Sequence, residues 1–278
     1  MTVDRLLLAR LLRENPFQPA TGLWRAAEIR AVADRGLPVG RGLDIGSGDG
    51  RLIGILLDLL DHEGEIIGVD VEPSEVAAAQ STGNYTAVHL ASADAIPEPN
   101  ASFDWVFSNS TLEHIEPIAG TLAEVARVLR PGGTFIFTVP SDEFHACLRG
   151  PLIGSRRRYL AGVDERCAHL RYWNQQEWGN QLARVGLELR ESDAYLTVRE
   201  TRRWELISTL TAGVLHRLTR KHPMAIQRRL GMRRGQRMPE WLATLSARLL
   251  TLGLDRADNS KRYGCRYFVA DRLGRTSD

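Results

Sequence analysis

Lysine is almost missing from this chain: of 36 basic residues only Lys221 and Lys261 are lysines, and arginine carries the rest of the positive charge. An excess of either sign is missing too, since 34 acids leave a net charge of +2, and this argues against a dedicated nucleic-acid binder. Cysteine occurs three times, at Cys147, Cys167 and Cys265, too few and too scattered for a disulfide framework, and the odd count fits a reducing cytosol. No long apolar run is present. The stretch 206–215 is about half of what a bilayer crossing requires. The opening MTVDRLLLARLLREN breaks its apolar run at Arg10 and does not read as a secretion signal. Repeats and low-complexity tracts are absent. What remains, 278 residues with 43% hydrophobic and 25% charged, is the profile of a globular protein with a sizeable core.

From Gly40 to Pro140 short apolar runs alternate with helical patterns, the signature of consecutive βα units and a mainly parallel sheet. Strands are expected over 42–45, 65–70, 85–91, 103–108 and 133–139. Helices are expected over 51–61, 74–81 and 119–130, the last stopped by Pro131-Gly132-Gly133. Beyond Pro140 the pattern loosens, and 141–172, with Gly150-Pro151 and Arg156-Arg157-Arg158, reads as an irregular excursion. A capped helix over 174–185, a strand over 187–198 and a last strand over 265–270 follow. Between the last two, apolar residues at helical spacing over 204–218 and 241–254 place a helical insertion.

Leu43-Asp44-Ile45-Gly46-Ser47-Gly48-Asp49-Gly50 follows an apolar strand and opens a helix. Glycine there permits a sharp turn and close approach of a ligand, while the helix start offers free N–H groups. The spacing is G-x-G-x-G rather than the G-x-G-x-x-G that cradles a pyrophosphate. Asp44 and Asp49 would repel a pyrophosphate and attract an amino or sulfonium group. Asp70 ends the second strand, where a carboxylate can accept both hydroxyls of a ribose or else cap the helix behind Pro73. Asp94, beyond the third strand, can accept from an exocyclic amine or be a solvated loop residue. Taken in series, the three carboxylates suit amino acid, ribose and adenine along one crevice.

LDIGSGDG, IIGVDVEPSE, ASADAIPEPNASFDWVFSNSTLEHI and EVARVLRPGGTFIFTVP resemble motifs I, II, III to IV and VI of the class I S-adenosylmethionine-dependent methyltransferases, in particular their type 11 small-molecule branch. The resemblance covers residues 40–140. It implies an α/β, Rossmann-like, seven-stranded sheet, mainly parallel with an antiparallel last strand and a helical insertion before that strand. It also implies that Asp44, Gly46, Ser47 and Gly48 surround the methionine portion of S-adenosylmethionine and that Asp70 holds the ribose. Val71 would meet the adenine face, Asp94 and Ala95 the adenine edge, and Asn109 and Ser110 the sulfonium and the acceptor. Ser47 stands where the family often has cysteine. The expected organisation is one domain over 1–278: N-terminal helices 1–39, cofactor core 40–140, acceptor-side segment 141–198, basic insertion 199–262 and last strand 263–271.

Methyl transfer from a sulfonium needs alignment and desolvation, with no obligatory metal. A base is needed only if the acceptor must lose a proton. His114, past the fourth strand, and His169, in the excursion, are the candidates, each with a structural role as the alternative. His145-Ala146-Cys147 and Cys167-Ala168-His169 mirror one another, but the one-residue gaps are shorter than zinc sites use, and no metal is expected. Acceptor choice falls to the N-terminal helices, 141–173 and the insertion. Residues 199–237 hold eleven Arg or Lys against Glu200 and Glu205. With Trp204, Ile207, Thr211, Val214 and Leu218 near one helical face and Arg203, Arg217 and Arg220 beside it, this stretch suits either a lid packed on the sheet or a contact with an anionic membrane or a lipid-linked acceptor. The expected partner is a small or lipid-linked acceptor, methylated on oxygen, nitrogen or carbon. The rival readings are a catalytically degenerate scaffold and a NAD-type oxidoreductase, the latter opposed by the glycine spacing and Asp49.

Overall fold

Seven strands form one sheet in the order β3-β2-β1-β4-β5-β7-β6. The computed structural model describes residues 3–213, 237–256 and 258–274. Its contacts divide the chain into two units. A sheet unit holds 31–141, 170–194 and 266–278, and a helical unit holds 1–30, 142–169 and 195–265.

In the sheet unit, β1 (Gly42–Ile45) is central and wholly buried, pairing in parallel with β2 (Ile66–Asp70) on one side and β4 (Phe103–Asn109) on the other. A strand buried on both faces has no reason to alternate polar and apolar residues, hence the uninterrupted run. β3 (Ala87–Leu90) extends β2, and β5 (Leu129–Pro140) extends β4. The sheet is mainly parallel, with antiparallel strands at its end, where β6 (Leu187–Thr197) and β7 (Tyr263–Arg272) lie. Phe137 anchors the core under β5, stacking on Phe135 and Phe268 at 4.8 and 5.0 Å and tilting against Trp178 at 5.0 Å. Helices α3 (Arg51–Leu60), α4 (Pro73–Gln80), α5 (Ile118–Val128) and α8 (Gln175–Ala183) follow β1, β2, β4 and the 170–174 segment. As the sequence predicts for 174–185, α8 opens on a capping box, with Asn174 and Glu177 bonding one another's backbone N–H.

The helical unit contains α1 (Arg5–Glu14), the larger part of α2 (Pro19–Ala33), α6 (Phe144–Cys147), α7 (Arg156–Cys167), α9 (Val198–Ser208) with a π-turn at Thr209–Gly213, and α10 (Glu240–Leu250). Asp4 caps α1 by accepting from Leu6 and Leu7 N–H at 2.9 and 3.0 Å, and α1 packs on α10. Trp24, Phe144 and Trp204 meet with ring centroids 5.3 to 5.6 Å apart. Glu205 is buried in α9, where its carboxylate accepts from the N–H groups of Arg149 and Gly150 at 2.7 and 2.9 Å and from the Tyr159 hydroxyl at 2.6 Å.

Three expectations are corrected. Residues 141–172 are not irregular throughout, since they contain α6 and α7. In α7, RRRYLAGVDERC buries only Val163 and so leaves no apolar stripe to read. Pro131-Gly132-Gly133 does not precede the strand but lies inside β5, where the register against β4 slips between Phe103 and Trp105. Trp204 and Ile207 turn inward and are buried, whereas Leu206, Leu210 and Thr211 face out, so the face drawn through Trp204, Ile207 and Thr211 is not one surface. Val214, Arg217, Leu218 and Arg220 lie outside the described residues. No helix among the described residues is long and apolar enough to cross a membrane.

Candidate functional site

The carboxyl ends of β1, β2 and β4 lie side by side, with Ile45 in register with Val69 and with Ser108. Loops leaving these ends therefore face one edge of the sheet, the usual ligand position in an open α/β fold. Gly46, Gly48 and Gly50 have φ of 76°, 53° and 74°, and the Gly46 and Ser47 N–H groups hold the turn by donating to the Val69 carbonyl at 2.9 and 3.1 Å. A side chain at Gly46 would place its Cβ 2.3 Å from Thr111 Oγ1, so glycine is required by conformation and by space alike.

Asp70 is tied to this turn. Its Oδ2 accepts from Gly48 N–H and its Oδ1 from Glu72 N–H, both at 2.9 Å. Two backbone donors fix the carboxylate plane while each oxygen keeps a lone pair for a ligand hydroxyl. Asp70 does not cap α4, whose N-cap is Glu72. Val71, next along, is 68% exposed, an apolar side chain left open beside the carboxylate. Asp44 is 5% exposed, and its Oδ2 accepts from the Tyr85 hydroxyl at 2.6 Å. Burial first, then the Asp44 carboxylate, pushes the Tyr85 phenol well above its ordinary range, so it remains a donor. Asp49 lies beside Arg51, 3.7 Å away.

Asp94 and Ala95 are exposed in a turn after β3, closed by Ala95 N–H donating to the Ser92 carbonyl at 3.0 Å, and the Ser92 hydroxyl donates to Asp94. Asn109 ends β4 and is nearly buried. Its Oδ1 accepts from Thr138 Oγ1 at 3.1 Å, and Ser110, at φ 45°, donates its N–H to the Thr138 carbonyl at 3.0 Å. The ten residues expected to hold the cofactor, Asp44 to Ser110, all belong to the sheet unit, at the strand ends or in the loops leaving them.

His114 ends a single 3-10 turn, Leu112–His114, with Nε2 3.8 Å from the buried Glu113 carboxylate. Arg171 holds this segment: its buried guanidinium donates to the carbonyls of Leu112 and Ile115 and to the Glu116 carboxylate. Leu170 N–H adds a bond to the Glu113 carbonyl at 2.9 Å. His169 belongs to the helical unit, where its ring lies 5.8 Å from Phe144 and 6.3 Å from Trp24, an environment of packed aromatics. Of the mirrored His–Cys pairs, the His145 Nε2 lies 2.7 Å from the Asp164 carboxylate, and burial raises the Cys147 thiol to about 12.

Sequence reasoning missed Tyr85, Thr111 and Arg171. Tyr85 was legible only as the first residue of a strand, and Arg171 gave no signal, because its partners are backbone carbonyls more than fifty residues away.

Residues 43–137 match the family model described as a methyltransferase domain. The chain is 30% identical over 141 residues to a dimethylglycine N-methyltransferase of Parasynechococcus marenigrum, covering 47% of this chain and 48% of that one. It is 30% identical over 128 residues to a demethylmenaquinone methyltransferase of Symbiobacterium thermophilum, covering 44% and 51%. It thus spans about half the length of these curated relatives. Among solved structures, a chain from the complex of the Trm112 methyltransferase activator with a methyltransferase of Haloferax volcanii matches over 98% of this chain and 99% of its own, with 17% identity and a TM-score of 0.57, a likeness of fold.

Proposed function

We propose, for a chain whose residues 43–137 belong to the methyltransferase domain family, that it transfers a methyl group from S-adenosylmethionine to an oxygen, nitrogen or carbon of a small or lipid-linked acceptor. The observation that carries this reading is the Asp70 carboxylate, fixed by Gly48 and Glu72 N–H at the edge where the glycine turn admits no side chain at Gly46. The residues fit the group. Asp44 is an anionic neighbour for its ammonium and sulfonium, Asp70 a diol acceptor, Val71 an apolar face for adenine, and Asp94 with Ala95 a polar edge. S-adenosylmethionine supplies, when bound, a methyl already activated on a positive sulfur. The chain's own contribution is orientation and water exclusion, with Asn109 and Ser110 lining the side from which an acceptor approaches. Where the acceptor carries a proton, His114 is the group to take it, with Glu113 beside it to stabilise the resulting imidazolium.

The relatives named above act, by their names, on dimethylglycine and demethylmenaquinone, which supports a small-molecule or lipid-linked acceptor without choosing between them. Calorimetric titration with S-adenosylmethionine, S-adenosylhomocysteine and NADH tests the reading. Micromolar binding of the first two and none of NADH is expected, together with a loss of at least tenfold in affinity for Asp70→Asn. Silence toward both methyl-donor ligands in folded protein, or full affinity in Asp70→Asn, overturns it.

A further inference from the structure

Within the helical unit, α10 buries Ala243 and Ala247 and turns Trp241, Leu245 and Leu249 outward, a ridge continued by Leu252 in the loop that follows. These four are between 46% and 69% exposed, and Trp241, Leu245 and Leu249, four residues apart, form a stripe about 12 Å long at the helical rise. A second ridge runs down α9 through Arg199, Arg202 and Leu206, with Leu210 beyond it in the π-turn, all exposed. Arg203 joins the two elements by donating to the carbonyls of Leu250 and Leu252 at 3.1 and 2.9 Å, which closes the C-terminus of α10.

At that junction Arg199, Arg202, Arg203, Gly253 and Leu254 line an open cavity of about 400 Å³. Three arginines and no acid face it. The acids nearby have partners of their own: Asp255 pairs with Arg5 at 3.0 Å, and Asp258 accepts from Arg199 N–H at 3.0 Å. Glu240, at the start of α10, lies 3.4 Å from Arg13. An exposed Trp–Leu stripe ending at an arginine-lined hollow is what an interfacial helix pair presents to a bilayer, with apolar side chains among the acyl chains and guanidinium groups at the phosphates.

We propose that this α9–α10 face of the helical unit docks on an anionic lipid bilayer, with the Arg199–Arg202–Arg203 cavity receiving a phospholipid headgroup and Trp241, Leu245, Leu249 and Leu252 entering the interface. Charge chooses the occupant: a second copy of the same face would oppose arginine to arginine, whereas an anionic surface complements it. The proposal stands independently of the methyl-transfer reading.

Co-sedimentation of the full chain with vesicles of equimolar phosphatidylcholine and phosphatidylglycerol, against vesicles of phosphatidylcholine alone, tests it. Binding to the mixed vesicles, weakened by salt and poor on the neutral ones, is expected. Each arginine near an anionic surface contributes about fivefold, so Arg199→Gln/Arg202→Gln lowers the partition coefficient roughly twenty-five-fold. Trp241→Ser and Leu252→Ser, separate exposed changes that each leave the circular dichroism spectrum intact, lower it at least tenfold. Absence of binding to the mixed vesicles overturns the proposal. So does binding that all these variants retain, which would put the contact elsewhere on the chain, or self-association in solution that Trp241→Ser abolishes, which would make the face a dimer interface.

Discussion

Removing one oxygen, in Tyr85→Phe, leaves the packing of the ring over the glycine turn in place and takes from Asp44 the donor that lies 2.6 Å from its Oδ2. Asp44 is almost wholly buried, so water cannot replace that donor without opening the strand end. A hydrogen bond to a charged group contributes about 1.5–3 kcal/mol net, and the loss should appear in full here. At roughly 2–4 °C per kcal/mol for a chain of this size, the midpoint of thermal unfolding drops by roughly 3 to 12 °C. A double-mutant cycle isolates the pair: Tyr85→Phe, Asp44→Asn and the double variant, each melted by calorimetry, should give a coupling energy of about 1.5–3 kcal/mol. Affinity for S-adenosylmethionine should fall about tenfold in Tyr85→Phe, since an unanchored Asp44 is free to turn from the ligand, and a factor of ten corresponds to about 1.4 kcal/mol. A coupling energy below about 0.5 kcal/mol, within the scatter of independent sites, would show that the hydroxyl does not hold the carboxylate.

Arg171→Met strips the guanidinium from the carbonyls of Leu112 and Ile115; Leu112 still accepts from Ile115 N–H at 3.3 Å, so the loss is that of one buried acceptor, about 1–3 kcal/mol, visible as a melting-temperature loss of roughly 2–12 °C, and an unchanged melt would refute the clamp. Gly46→Ala meets Thr111 at 2.3 Å and should lose more than about 3 kcal/mol in urea unfolding. Adding Thr111→Gly should relieve the clash and leave only the roughly 1–2 kcal/mol of the left-handed backbone, and no recovery would place the strain elsewhere. Burial raises Tyr267 and Cys147 to about 12, so the folded state holds their protons more tightly than the unfolded chain does. Their contribution is complete below the ordinary thiol and phenol range and lost as pH rises toward 12, with Tyr267 alone giving roughly 3 kcal/mol. Thermal melts should be level near pH 8 and decline from about pH 9 to 12, and a flat profile would contradict the burial of these groups.

The sheet was legible in the sequence because its strands are local events: the apolar runs of β1, β2 and β4 end on Gly46, Asp70 and Asn109, a glycine, a carboxylate and an amide that local chemistry explains. The glycine turn and the carboxylate tied to it were legible for the same reason, since Gly46, Gly48 and Asp70 act through backbone geometry that residue type announces. What long-range packing decides was not. α7 has polar residues on nearly every face, and which side of α9 is buried was left open between a lid and a surface contact until the aromatic cluster with Trp24 and Phe144 claimed Trp204. Arg171 reads as one more arginine among many until its carbonyl partners are in view.

β7, the last strand in the sequence, lies in the sheet between β5 and β6. During synthesis β6 therefore emerges with no neighbour to join, and β5 keeps an open edge through the whole stretch between Thr197 and Tyr263. Both edges wait for the final ten-residue strand, which enters as a wedge between two waiting rails. A ribosome stalled between Thr197 and Tyr263 would leave a chain with a finished glycine turn and two sticky, unpaired edges, and the emergence of β7 is the event that seals them.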